Sequence, residues 1–112
     1  MARIGGTMNS IITGSYTTTV SLSATDSPQG LPTVCKQNAQ AELYAAVLIT
    51  VENNGIRISY NSGTPTQGAS GVGHYITSGS TMRIIGTDNI AGFRFINYTN
   101  GQNALLQVTS EA

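Results

Sequence analysis

Short runs of alternating apolar and polar residues, each closed by a turn former, recur through this chain, and that rhythm constrains the fold more than any other feature. In residues 16–24, Tyr16, Thr18, Val20, Leu22 and Ala24 fall on one face, with Thr17, Thr19, Ser21 and Ser23 on the other. A period of two places these sets on opposite sides of a half-buried strand. Four more short runs, at 74–77, 81–85, 93–97 and 104–109, are separated by Ser78-Gly79-Ser80, by Gly86-Thr87-Asp88-Asn89 and by Asn100-Gly101. Thirteen glycines among 112 residues serve those turns and leave no room for a helical bundle. Six or seven short strands spaced by turns predict a single all-β domain, an antiparallel β-sandwich of jelly-roll-like type.

Between these strands lie the less regular segments. Asp26-Ser27-Pro28-Gln29-Gly30-Leu31-Pro32 reads as a loop, because it holds two prolines and a glycine. Residues 36–46 are rich in helix formers and predict one short helical turn, whereas 43–51 are apolar on both faces and predict a buried central strand. Asn54-Gly55 between Val51 and Ile56 carries a strong hairpin signal, since a type I′ turn needs positive φ at both central residues. Residues 61–73, with four glycines and a proline, read as a long mobile connection. The expected core is Val20, Leu22, Val47, Ile49, Val51, Ile58, Ile84, Phe93, Phe95, Leu106 and Val108.

The residues that carry chemistry elsewhere are scarce. One His and one Cys rule out an imidazole or thiolate metal site within one chain, and Asp26, Glu42, Glu52, Asp88 and Glu111 are too scattered for a calcium loop. His74 is the only natural base, and nothing in the sequence marks a nucleophile beside it. It reads as a strand-start histidine satisfied by a loop carbonyl, and Cys35 as a buried, inert thiol. Gly68-Ala69-Ser70-Gly71-Val72-Gly73 is followed by a strand-like run, whereas a phosphate loop opens a helix. No catalytic residue, metal or cofactor is therefore expected. Five Lys and Arg against five Asp and Glu give no field that would hold nucleic acid. Arg57, Arg83 and Arg94 take the polar phase of their strands, where they lie in solvent on one outer face or pair between subunits with Glu52 or Asp88. No membrane span or secretory signal is visible, so the expectation is a soluble protein made in the cytoplasm, and Asn97-Tyr98-Thr99 is a chance glycosylation match.

Residues 1–15 lack sustained alternation and contain Gly5-Gly6, which predicts an extended N-terminal arm attached to a sandwich of residues 16–112. Arg3, Ile4, Met8, Ile11 and Ile12 are the candidate partner-binding residues on that arm. A weakly charged all-β domain must also cover its sheet edges, which points to a homo-oligomer, most simply a trimer.

Over residues 42–108 the order of features is Ile49-Thr50-Val51-Glu52, Ile56-Arg57-Ile58, Gly63-Thr64-Pro65-Thr66 and Gly73-His74-Tyr75-Ile76. It continues through residues 81–85, Ile90-Ala91-Gly92-Phe93-Arg94-Phe95-Ile96 and Leu105-Leu106-Gln107-Val108. This order resembles the small β-sandwich virion proteins of tailed bacteriophages. The resemblance implies a structural cement or decoration protein without enzymatic activity, located on the capsid surface and bound to the major capsid protein. Similar small sandwiches also serve as neck, tail or fibre-base components, and a carbohydrate-binding adhesion module is a further alternative.

Overall fold

The structure, a computed structural model, describes residues 15–112. Eight strands and two short helices follow one another as β1 (Val20–Ala24), β2 (Gln29–Gly30), α1 (Thr33–Lys36), β3 (Ala46–Glu52), β4 (Ile56–Ser59), β5 (His74–Ile76), β6 (Thr81–Ile85), α2 (Thr87–Gly92), β7 (Arg94–Asn97) and β8 (Ala104–Glu111). The strands form two four-stranded antiparallel sheets, ordered β1-β8-β3-β6 and β2-β7-β4-β5. β1 pairs with β8, β2 with β7, β3 with β6 and β4 with β5. The chain is thus folded as one long antiparallel hairpin and then rolled so that its two arms divide between facing sheets. That topology is a jelly roll.

Facing side chains of the two sheets make the core. Val47, Ile49, Val51, Ile84, Leu106 and Val108 from the first sheet meet Ile56, Ile58 and Phe95 from the second. Leu31, Cys35 of α1, Ile90 of α2 and Phe93 close the ends. Each fully buried Val, Leu, Ile or Phe contributes roughly 1.5–3 kcal/mol, so this shared layer is what holds the sheets face to face. Of the core expected from the sequence, Val20 and Leu22 are half-buried and pack against it, and the others are buried.

Three local expectations are corrected. Asn54-Gly55 does not close a hairpin, because β3 pairs with β6 and β8 while β4 pairs with β5 and β7. The segment carries the chain from one sheet to the other, with the positive φ on Asn53 at 72°. The local turn signal is the same in both cases; burying Val51 and Ile56 in one core selects the crossover. The helical turn expected within residues 36–46 lies earlier, at α1. Asn38 explains the shift: its Oδ1 accepts the backbone N–H of Gln40 and Glu42, both at 2.9 Å, and offers the backbone an alternative to a helix. The turn expected at residues 86–89 opens α2 instead, whose Ile90 is buried.

Residues 61–73 are not a free connection either. They fold back across the outer face of the second sheet, where Arg57 is only 9% exposed. Its Nε and Nη2 donate to Gly68 O at 3.0 and 2.8 Å, Nη1 to Gly73 O at 2.9 Å, and Nη2 also to Ala69 O at 3.2 Å. Tyr98 and Tyr75 flank the guanidinium, with ring centroids 5.2 and 5.9 Å away. Gly73, at φ 116°, brings its carbonyl to Arg57 in a conformation that L side chains rarely adopt.

Candidate interaction surface

The outward residues of the first sheet form rows across its four strands. One row runs Tyr16, Glu111, Ala46 and Ile85; the next runs through Thr109, Leu48 and Arg83. A third contains Ser21, Gln107, Thr50 and Thr81. Alternation puts these side chains opposite the core, and the strand pairing places them side by side. Three large apolar groups stand out from this face: Leu48 at 40% exposure, Ile85 at 60% and Tyr16 at 57%.

Two of the three charged groups on the same face pair with each other, while Glu52, at the end of β3, accepts from Gln107 Nε2 at 3.3 Å. Arg83 Nε and Nη2 donate to Glu111 Oε2 and Oε1 at 2.8 and 2.7 Å, a two-pronged pair that satisfies both groups within the subunit. Hydroxyl pairs complete the surface, with Thr19 and Thr109 at 2.7 Å and Thr50 and Thr81 at 3.3 Å. Leu48 and the ion pair lie mid-face, Tyr16 and Ile85 stand at its two margins and hydroxyls fill the space between strands, an anatomy of a contact surface more than of a solvated one.

The three arginines therefore do not share a face. Arg83 is on the first sheet and pairs with Glu111, not with Glu52 or Asp88. Arg57 and Arg94 belong to the second sheet, where Arg94 donates to Thr64 Oγ1 at 3.3 Å and to Pro28 O at 3.2 Å. Arg83 remains exposed, as expected, whereas for Arg57 and Arg94 the expectation of solvation fails because the β4–β5 and β1–β2 loops bring carbonyls and a hydroxyl to them.

At the end of the sandwich where β1 meets β2, Asp26 Oδ1 accepts from Asn97 Nδ2 and Gly101 N, both at 2.8 Å, and from Gln67 Nε2 at 3.0 Å. Those three donors hold the carboxyl below its ordinary range. Asn97 is fully buried, and its Oδ1 accepts from Gln67. The cluster ties three loops together.

His74 opens β5 and is exposed, and its ring lies 6.4 Å from that of Tyr60. Among the described residues no loop carbonyl accepts a hydrogen bond from it, contrary to the sequence reading. Cys35 is buried as expected, and burial pushes its thiol up from its ordinary value. Among the described residues no three His, Cys, Asp or Glu gather as metal ligands, and no helix is long and apolar enough to cross a membrane.

The candidate contact residues Arg3, Ile4, Met8, Ile11 and Ile12, and with them nearly all of the arm, lie outside the described residues. What the structure does place is the root of that segment. Ser15 O accepts from Ala112 N at 2.9 Å and Tyr16 bridges to Glu111, so the chain enters beside the row that holds Ile85. Leu48, Ile85 and Tyr16 were not singled out by the sequence as surface groups. For Leu48 the only signal was the apolar character of both faces of residues 43–51, which reads equally well as burial, and Tyr16, in phase with Val20 and Leu22 in the sequence, is exposed beside Glu111 instead. The fold defines the class: an eight-stranded jelly-roll sandwich with one sparsely charged, partly apolar outer sheet face. Comparison with protein-family models, with curated proteins and with solved structures finds no match.

Proposed function

We propose that this chain is a virion structural protein of the cement or decoration type, which seats the outer face of its first sheet on the major capsid protein and stabilises the head. The observation that carries the reading is the exposed Leu48, Ile85 and Tyr16 group around a charge pair already satisfied inside the subunit. Such a face gains by leaving water, and of its three charged groups Arg83 and Glu111 are already paired while Glu52, at the far end of β3, accepts only from Gln107. Many copies on a symmetric shell multiply modest contacts through avidity. The resemblance to small phage sandwiches supports the same assignment.

Leu48→Gln with Ile85→Thr removes two of the three exposed apolar groups while keeping strand-compatible side chains. Full burial of an aliphatic side chain is worth roughly 1.5–3 kcal/mol, so partial loss at two positions weakens capsid binding by about tenfold or more. Thermal stability of the free protein stays nearly unchanged, and binding of the parent protein survives several hundred millimolar salt. Unaltered saturation of capsids by the double variant, or release of the parent protein by salt, would refute the assignment of this face. Copy number in purified virions separates the alternatives: a head protein approaches the number of capsid subunits, whereas a neck, tail or fibre-base component is present in a dozen copies or so. Saturable binding on a glycan array would instead support the adhesion alternative.

A further inference from the structure

The sandwich is incomplete along one side. β1 and β2 are the edge strands of their sheets there, and β2 is only two residues long. Between them a cleft of about 210 Å³ is lined by Leu22, Ser23, Gln29, Gly30, Pro32 and Phe95. Small-molecule pockets run from roughly 300 to 1,000 Å³, so this volume suits one or two side chains and not a ligand. None of the lining residues is charged.

The backbone of β1 shows which groups are free. Gln29 Nε2 donates to Ser23 O, so the backbone groups of Ser23 face away from β8. In an antiparallel ladder this orientation alternates, and the N–H and C=O of Ser21 therefore face the same open edge. Ser21 and Ser23 sit opposite Gln107 and Leu105 in the β1–β8 register. An open edge beside an apolar cleft is the arrangement that β-strand addition uses: main-chain bonds give affinity, and alternate side chains fill the cleft.

We propose that residues 1–14 of a second copy of this chain add to the free edge of β1 and fill the cleft. In an extended strand Ile4, Met8 and Ile12 share one face, with Gly6 and Ser10 between them, while Arg3, Gly5, Thr7, Asn9, Ile11 and Thr13 take the other, more polar one. That face offers apolar side chains to the uncharged cleft, and Arg3 is the only charged side chain on the segment. Fourteen residues reach at most about 46–50 Å, enough to span to a neighbouring domain. The donor is a second copy and not the same one, because Ser15 and Tyr16 are held beside Ala112 and Glu111, at the opposite end of β8 from the register of Leu22 and Ser23. To fill its own cleft the segment would have to double back along the whole of β1.

The test needs only purified protein, so its failure is distinct from a failure of the virion reading. Full-length Met8→Asp/Ile12→Asp spoils the donor and keeps the acceptor edge. Full-length Ser21→Pro spoils the acceptor, since the lost N–H has no partner within the sheet, and keeps the donor. Light scattering is expected to show an oligomer for the parent, an 11.7 kDa monomer for each variant alone, and a species of twice that mass when the two variants are mixed. Circular dichroism melts confirm that both variants are folded; if Ser21→Pro is not, Gly30→Phe blocks the cleft in its place. A mixture that stays monomeric overturns the proposal, as does a donor variant that still oligomerises. So does a parent that is monomeric while its Ser21 amide is protected from hydrogen exchange, because the subunit's own arm then occupies the edge.

Discussion

Replacing Arg57 by Met tests the role of the clamp over the second sheet. The substitution keeps an unbranched chain of similar length and removes four hydrogen bonds, which end on the carbonyls of Gly68, Gly73 and Ala69. Hydrogen bonds from a charged donor are worth about 1.5–3 kcal/mol each, but the three acceptors lie near the surface and recover part of that from water. Taking about 1 kcal/mol per carbonyl and 0.5–1 kcal/mol for the contacts with Tyr98 and Tyr75 gives a loss of roughly 3–4 kcal/mol. Relief of the guanidinium's own desolvation returns part of this, so about 2–4 kcal/mol is expected. Urea denaturation followed by circular dichroism measures it, and proteolysis within residues 61–73 should accelerate at the same time. Arg57→Lys restores the charge but not the fork of donors, and should recover less than half of the loss. A loss below about 0.5 kcal/mol, the usual value for a solvated surface residue, would refute the clamp.

Two further outcomes test the interior and the loop cluster. Phe95→Ala should cost about 3–5 kcal/mol by the same denaturation assay, because the ring is buried against Phe93 with centroids 5.9 Å apart. Asp26 stabilises the fold through a carboxyl held below its ordinary range, mainly by Asn97 and then by Gly101 and Gln67. Its contribution is complete above the unfolded value near 3.9 and is lost as pH falls through the lower folded value. The melting-temperature gap between the parent and Asp26→Asn should therefore be widest at neutral pH and close in strong acid; a gap independent of pH would contradict the arrangement.

Alternation along single strands was legible because it is local. Ile84 and Met82 face inward and Arg83 outward for the same reason that Leu106 and Val108 face inward and Gln107 outward: side chains on a strand change sides at every residue. The all-β class, the inward phase of Phe93 and Phe95, and the positions of seven of the eight strands followed from that rule and from the turn residues between the runs. The remaining strand, β2, was hidden in what reads as a proline loop, since two residues are too few to display a period. α2 escaped for a similar reason, its six residues being less than two helical turns.

Pairing, by contrast, was decided only by the tertiary structure. Val51-Glu52-Asn53-Asn54-Gly55-Ile56 has the local chemistry of a hairpin, yet its two strands enter opposite sheets because their partners come from far along the chain, β8 and β6 for one and β7 and β5 for the other. The same distant contacts determined the surfaces. Arg57 is in the polar phase of its strand and is nevertheless buried, because a loop beginning after Ser59 returns to cover it. Leu48 is apolar in a central strand and is nevertheless exposed, because nothing among the described residues returns over the first sheet. A residue's phase depends on its immediate neighbours, but whether its outer side meets water depends on where the rest of the chain has gone.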